Sequence, residues 1–292
     1  MTVSSKELQA FVCLSEYLHF ARASEQLNMT PSALSRLIQR LEVSVDATLF
    51  IRDKRSVVLS EQGRVFLPYA RDALNNLDEI KHVLQASKDE VSGNLSVFCS
   101  VTAAYSILTN LLPSIRERYP DINVLLRTGD ASSALDRVMS GQDHMAITAK
   151  PQIVPSELLY QEITSTHLKL IISKRPCSIR QHWLSQSKEW RTLPWILAEG
   201  GIIREQFDEW AKEQDLDVDV YSHVSGHEAI VSMVSLGFGI GVVPDIVLNY
   251  SPQKDDIEVI DAGLALPQLS IGACVQYKSL RNRSINAVWE LL

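Results

Sequence analysis

The chain of 292 residues predicts a multidomain protein with an all-α N-terminal part, one long connecting helix and an α/β remainder. Three observations predict it. Residues 1–60 fall into short helical stretches with a turn between them, and residues 61–89 contain no Gly or Pro after Pro68. From Ser92-Gly93 onward, short β-rich runs alternate with helical stretches, as in α/β domains. The length itself suits about two domains.

Composition narrows the class. Hydrophobic residues make up 46% and charged residues 22%, ordinary for a soluble globular chain. No apolar run reaches the roughly 18 residues of a membrane span. Lys6, Glu7 and Glu16 interrupt the first twenty residues, so they lack the order of a signal peptide, and a cytoplasmic location is expected. Cys13, Cys99, Cys177 and Cys274 are far apart and form no CxxC pair, which predicts free, buried thiols and no metal site. No cofactor is expected. The net charge of −7 argues against a chain that coats nucleic acid along its length. Its distribution points elsewhere: residues 1–60 carry seven Lys/Arg against six Asp/Glu, the rest 21 against 29. The N-terminal segment is the relatively basic part of an acidic protein.

That segment holds a helix-turn-helix pattern. A helix over about Phe20 to Leu27 is broken by Asn28, Met29 and Thr30. Thr30 is a good N-cap, and Pro31 sits where a missing N–H costs nothing. The next helix runs from Pro31 to about Glu42. At about 100° per residue, Leu34, Leu37, Ile38 and Leu41 share one side, while Ser32, Ser35, Arg36, Gln39 and Arg40 share the other. The first side packs on the preceding helix. The second offers hydroxyls, an amide and guanidiniums to a DNA groove, where Arg reads guanine and Gln reads adenine. Leu49–Arg52 and Val57–Leu59 then flank the polar turn Asp53–Ser56 and predict a short hairpin, or wing. Arg52, Lys54 and Arg55 near its tip suit phosphate or minor-groove contact. A solvated amphipathic helix and a solvated turn are the plainer alternatives.

Over residues 4–65 the sequence resembles the winged helix-turn-helix of LysR-type transcriptional regulators. Leu8-Gln9-Ala10-Phe11, His19-Phe20, Ala23, Leu27, Ser32-Ala33-Leu34-Ser35-Arg36, Ile38, Arg40-Leu41-Glu42, Leu49-Phe50, Arg52 and Glu61-Gln62-Gly63 carry the likeness. Pro31 departs from it: many members have Gln there, so a base contact from that position is missing or replaced. Double-stranded DNA at a promoter operator is the implied partner, with RNA polymerase at the same promoter.

In the long helix, apolar or small residues recur at Phe66, Ala70, Ala73, Leu77, Ile80 and Leu84, a heptad seam that suits a two-stranded coiled coil. A helix packed on its own domain is the alternative. The resemblance also implies self-association through this helix, to a dimer and then a homotetramer.

In the remainder, strands are predicted at Asn94–Cys99, Ile122–Arg127, His144–Ala149, Leu168–Ser173, Trp195–Ala198, Val218–His223, Gly239–Val243 and Leu269–Val275, with the apolar character of buried parallel strands. Helices are predicted at Thr102–Arg118, Ser132–Ser140, Ile202–Gln214 and Glu228–Leu236. Residues 91–292 resemble the effector domain of the same family, related in fold to periplasmic binding proteins. The resemblance implies two α/β lobes joined by two crossing strands, with a small-molecule cleft between them. The implied domains are 1–60, 61–89 and 90–292, with one lobe at about 90–163 and 268–292 and the other at about 164–267.

Ligands in α/β sheets sit beyond the carboxyl ends of strands. Ser100, Val101 and Thr102, Thr128 and Gly129, Lys150, Arg204, and Gly226 with His227 all fall at such places. Plainer readings are N-caps for Ser100 and Thr102, a first-turn structural role for His227 and a surface charge for Arg204. The runs Phe98–Ser106, Thr128–Ala131, Lys150-Pro151, Gly226–Ala229 and Val231–Val234 look like members of the family that activate branched-chain amino-acid biosynthesis. These respond to 2-acetolactate or 2-aceto-2-hydroxybutyrate, small α-hydroxy-β-keto carboxylates. Such an inducer calls for a cation, Arg204 or Lys150, beside Thr102, and for hydrogen-bonding groups such as Ser100, Thr128 and His227. A regulator of another pathway that senses a different small carboxylate is the alternative.

An enzyme is the rival class. Gly237-Phe238-Gly239-Ile240-Gly241 has dinucleotide-loop spacing but leads into a strand, not from a strand into a helix. His223 and His227 are four apart, but Gly226 lies between them and His223 ends a predicted strand. No Ser-x-x-Lys or Gly-x-Ser-x-Gly motif is present.

Overall fold

The computed structural model describes residues 2–53, 56–85, 91–185, 190–261 and 263–292. The chain divides into two compact units, Met1–Gly93 with Met139–Gln142, and Asn94–Val138 with Asp143–Leu292.

The first unit opens with α1 (Ser5–Tyr17), α2 (Phe20–Gln26) and α3 (Pro31–Val45). A capping box starts α1: Glu7 N–H donates to Ser4 Oγ and Ser4 N–H to Glu7 Oε2. Thr30 caps α3 by accepting from Ala33 N–H at 3.2 Å, with Pro31 at the first helical position, as the sequence predicts. Strands β1 (Phe50–Arg52) and β2 (Val57–Leu59) pair antiparallel to form the wing. Helix α4 (Glu61–Gln85) follows. Phe11, Leu14, Leu34, Ile38 and Leu41 are fully buried, joined by Leu49, Phe50 and Ala70. The Phe11 ring lies 5.4 Å from Phe50 and 5.2 Å from Phe66. Gly63 lets α4 pass under the wing, because a Cβ there would meet Leu49 O at 2.1 Å.

Helix α4 corrects the heptad reading in part. Phe66, Ala70 and Ala73, the first half of the seam, pack into the core of their own unit. Leu77, Ile80 and Leu84 continue the same stripe but are exposed. The pattern read as one seam therefore spans two environments along one helix. Residues 86–89, the end of the predicted helix, lie outside the described residues.

The rest of the chain runs β3 (Gly93–Cys99), α5 (Val101–Ser106), α6 (Leu108–Arg118), β4 (Ile122–Thr128), α7 (Ala134–Met139) and β5 (Met145–Ala149). Then come β6 (Leu158–Ser173), α8 (Ser178–Ser185), β7 (Trp195–Ala198), α9 (Ile202–Glu213), β8 (Val220–Val224) and α10 (His227–Ser235). β9 (Ile240–Pro244), α11 (Asp245–Tyr250), β10 (Ile257–Ile260), β11 (Gln268–Gln276) and α12 (Arg283–Trp289) complete it. The strand order is β4-β3-β5-β11-β6-β9-β7-β8, with β10 also on β6.

Two long strands organise this sheet into two lobes. β6 has 16 residues: Leu158–His167 pairs with β11, and Leu168–Ile171 pairs with β9. Only its apolar end was predicted from sequence. The earlier stretch is polar at Gln161, Glu162 and Thr164–His167 because one face is open, so it lacks the continuous apolar signature. Among the strand pairings whose register is described, the expectation of parallel strands holds for β3–β5, β7–β8 and β7–β9. Every described pairing of β6 and β11 is antiparallel. The predicted helix Thr102–Arg118 is two helices that meet at Ile107. Among the described residues no helix is long and apolar enough to cross a membrane, and no acidic, His and Cys group could hold a metal ion.

Candidate nucleic-acid interface and effector cleft

Ser32, Arg36, Gln39 and Arg40 are exposed on one face of α3, Ser35 is half-buried there, and Thr30 and Pro31 are exposed at its start. Thr30 Oγ1 lies 3.1 Å from Ser32 Oγ. Among the described residues, Arg36 and Gln39 form no hydrogen bond or ion pair within the fold. Their donors face outward, as groove readout needs.

Arg52 is placed differently from expectation. Its guanidinium donates to Glu42 Oε2 at 2.9 Å and lies 5.2 Å from the centre of the Phe20 ring. Glu42 Oε1 accepts the N–H groups of Leu49 and Phe50 at 2.9 and 3.1 Å. One carboxylate thus ties α3 to the wing, and Arg52 helps hold that junction where the sequence suggested a free cation. Lys54 and Arg55 lie outside the described residues. Of the residues on either side, Ser56 N–H donates to Asp53 Oδ1 at 2.7 Å and Asp53 N–H to Ser56 O at 3.0 Å.

The second unit contains a cleft of about 60 Å³ where α5, the segment after β4, the end of β5 and the starts of α10 and α11 converge. Ser100, Thr102, Gly129, Gly226 and His227 line it, five of the nine residues singled out from sequence. Ile147, Ala149, Ile203, Val247 and Ile271 give it apolar walls. Gly226 adopts φ +81°, a left-handed conformation that glycine takes without strain, just before α10.

The other four residues do not line the cleft. Val101 is 45% exposed and the Thr128 side chain lies in solvent at the end of β4. Lys150 is exposed, 6.0 Å from the centre of the Tyr160 ring. The Arg204 guanidinium is held by both Asp208 oxygens at 2.8 Å, by Ala198 O at 2.6 Å and beside His223 Nδ1 at 3.2 Å. An acidic residue four positions on, together with a strand-end carbonyl, satisfies it locally. Among the described lining residues there is no Lys or Arg.

The cleft instead holds two carboxylates that the sequence reading left out. Thr102 donates both its hydroxyl, at 2.6 Å, and its backbone N–H, at 3.1 Å, to Glu228 Oε1. Ser225 Oγ donates to Asp130 Oδ2 at 2.6 Å. Burial pushes the Asp130 carboxyl up, but hydrogen bonds from Ser225 and Ser132 outweigh it and hold the group below the usual carboxylate range. Burial pushes the His227 imidazole down, against the pull of Glu228 and Asp130. Both acidic residues stand inside the runs Thr128-Gly129-Asp130 and Gly226–Ala229. A search for cations to meet an anionic ligand passes over them.

The first unit holds a helix-turn-helix with an open polar face, and the second a two-lobed domain with a small cleft. The profile of bacterial regulatory helix-turn-helix proteins of the lysR family matches residues 5–64, and that of the LysR substrate binding domain matches residues 88–292. The chain belongs to the LysR-type transcriptional regulators. It is 36% identical over 287 residues to the HTH-type transcriptional activator IlvY of Haemophilus influenzae, covering 98% of each chain. It is 34% identical over 290 residues to the HTH-type transcriptional regulator IlvY of Escherichia coli, again covering 98% of each. Among solved structures, full-length OxyR from Pseudomonas aeruginosa matches with a TM-score of 0.66 at 21% identity, over 99% of this chain and 94% of that one. CbnR complexed with its target DNA matches with a TM-score of 0.61 at 18% identity, over 99% and 100%. At these identities the solved structures bear on the fold alone.

The LysR-type membership settles the class. The protein is a DNA-binding transcriptional activator with an effector domain, and its near full-length relatives are regulators, not enzymes.

Proposed function

We propose that this LysR-type regulator activates branched-chain amino-acid biosynthesis, at the gene for acetohydroxy acid isomeroreductase, in response to 2-acetolactate or 2-aceto-2-hydroxybutyrate. The observation that carries the reading is the 34–36% identity to IlvY proteins across 98% of the chain, effector domain included. The cleft supports it: a hydroxyl pair at Ser100 and Thr102, an imidazole at His227 and apolar walls suit a short, branched, oxygenated acid.

In this reading Arg36, Gln39, Arg40, Ser32 and Ser35 face the major groove, with Thr30 and Pro31 at the phosphate backbone and the wing beside them. The exposed stripe Leu77, Ile80 and Leu84 pairs with a second copy, and dimers pair into a tetramer. The protein works in the cytoplasm and meets RNA polymerase at the promoter. Footprinting of that promoter with and without 2-acetolactate tests the reading. A protected operator whose footprint changes on adding 2-acetolactate supports it, and an indifferent footprint refutes it.

The two carboxylates and the missing Lys or Arg favour a second reading, in which the effector is a neutral hydroxyketone. Acetoin, which is 2-acetolactate without its carboxylate, would then change the footprint and 2-acetolactate would not.

A further inference from the structure

The cleft contains an unexpected occupant. Thr102 is 5% exposed and directs its hydroxyl and its amide at one oxygen, Glu228 Oε1. A 2.6 Å O–H···O contact to a carboxylate is in the range of charge-assisted bonds, the strong class. Among the described residues, Glu228 has no Lys or Arg partner, and its second oxygen receives no hydrogen bond. A Cβ on Gly226 would lie 3.3 Å from that second oxygen, so the glycine leaves room for the carboxylate. Thr102 belongs to the β3–α5 segment and Glu228 to α10, 126 residues apart, so the bond joins the two lobes across the cleft.

We propose that Glu228 is a built-in competitor of the effector. Its carboxylate fills the Thr102 donor pair, and a carboxylate effector must displace it to bind. The inference rests on the cleft being the effector site. Both donors are committed to one Glu228 oxygen, so an effector carboxylate gains them only by taking them from it, and two carboxylates at close range in a half-buried site repel. Glu228 is half-buried and reaches the pair through a flexible side chain, so it can withdraw toward solvent. Apparent affinity then falls by the fraction of molecules in which the pair is open. If Glu228 holds the pair nine times in ten, the effector binds about tenfold more weakly than the bare site would allow. The competitor thus sets the effector concentration at which the regulator responds. It also discriminates: a carboxylate has to replace the bond between the lobes that it breaks, while a weaker acceptor leaves Glu228 in place.

Calorimetry of the full-length protein with 2-acetolactate tests this, comparing wild type with Glu228→Gln. The amide keeps the size of the side chain and removes the competing charge. Binding about tenfold tighter or more is expected, together with loss of heat stability in the absence of 2-acetolactate, since the bond between the lobes is weakened. Should Glu228→Gln fail to fold, Glu228→Asp, one methylene too short for the donor pair, is expected to bind tighter than wild type. Thr102→Val and Ser100→Ala separate the possible failures. If they lose binding while the folded Glu228 variant binds no tighter than wild type, the cleft stands and Glu228 is no competitor. Weaker binding by the Glu228 variant would make it a direct ligand of the effector and overturn the inference. If Thr102→Val and Ser100→Ala bind as wild type does, or wild type itself does not bind 2-acetolactate, the cleft reading falls and this inference with it.

Discussion

Replacing Glu42 by Ala should unfold the DNA-binding unit at a markedly lower temperature while leaving the effector domain alone. Glu42 Oε1 accepts from Leu49 and Phe50 N–H at 2.9 and 3.1 Å, and both donors belong to residues at most 2% exposed. A backbone N–H left buried without a partner costs about 1–3 kcal/mol. Taking the lower half of that range for each, because relaxation admits some water at the wing, gives about 3 kcal/mol for the pair. The ion pair with Arg52 adds little: the side chains are 18% and 29% exposed, and a pair so placed contributes about 0.5 kcal/mol. For a unit of this size 1 kcal/mol moves Tm by about 4–8 °C, so a fall on the order of 15 °C is expected.

The chain supplies its own control for this experiment. Trp183, Trp190, Trp195, Trp210 and Trp289 all lie in the second unit. Tryptophan fluorescence therefore follows the effector domain, while far-UV circular dichroism also follows the helices of the first unit. The dichroism transition should acquire an early component, the fluorescence transition should not move, and operator binding should fail at the new lower temperature. A coincident shift of both signals, or an early component displaced by less than about 3 °C, would refute the assignment of Glu42 as the tie between α3 and the wing.

Three further outcomes follow from the same structure. Arg36→Ala should weaken operator binding by about 1–3 kcal/mol, roughly 5- to 150-fold, and random DNA far less, because its free guanidinium sits mid-face on α3; equal loss on both in a salt-controlled gel-shift assay would make it a phosphate contact only. Leu77→Glu, on a residue 40% exposed, should lower the oligomeric state seen by sedimentation without lowering the heat stability of the first unit, since the packed half of the stripe ends at Ala73. His144, which accepts Ser96 N–H at Nδ1 at 3.1 Å, has its pKa lowered chiefly by burial. The unfolded chain therefore takes up a proton below about pH 6.5 that the folded one resists, so effector-domain stability should drop as pH falls from 7 toward 5.5. His144→Asn, whose amide oxygen can take the same N–H, should flatten that slope in fluorescence-detected urea melts.

The sequence exposed local rules well. The Thr30 cap, Pro31 at the first turn, the apolar side of α3 and the wing strands are each set by neighbours within a few residues, and all stand where the pattern puts them. Strands β5, β7 and β9 were equally visible, because full burial writes a continuous apolar run; β4 and β8 were predicted as buried but are largely open, and the short strand β10 was not predicted. Features with mixed environments were not. β6 changes partners at Leu168, and its first ten residues have one open face, so their polar composition hides a strand. Helix α4 has one periodic stripe but two neighbours, the core of its unit up to Ala73 and open surface from Leu77 on. Periodicity reports that a face is covered, not what covers it.

The same limit governs the candidate sites. Residue type shows what a side chain can do, and the fold decides which partner claims it first. Arg204 and Lys150 were the cations a carboxylate effector would want. Asp208 and Ala198 O hold one guanidinium, and the other side chain extends over Tyr160. Arg52 was read as a DNA contact and serves Glu42. Conversely, Glu228 and Asp130 carry the wrong charge for an anion site and drew no attention, yet they accept bonds from Thr102 and Ser225 across the cleft. A site for an anion need not contain a free cation if an internal carboxylate already satisfies its donors. The energetic question is then an exchange of one carboxylate for another, not the filling of a charged pocket. In the exchange proposed above, the Coulombic terms largely cancel, and the balance would fall to what a carboxylate effector adds beyond its charge: apolar contact with walls such as Ile147, Ala149 and Ile203, and polar contact with Ser100 and His227. A site that works by such an exchange would distinguish small acids by their carbon skeletons more than by their charge.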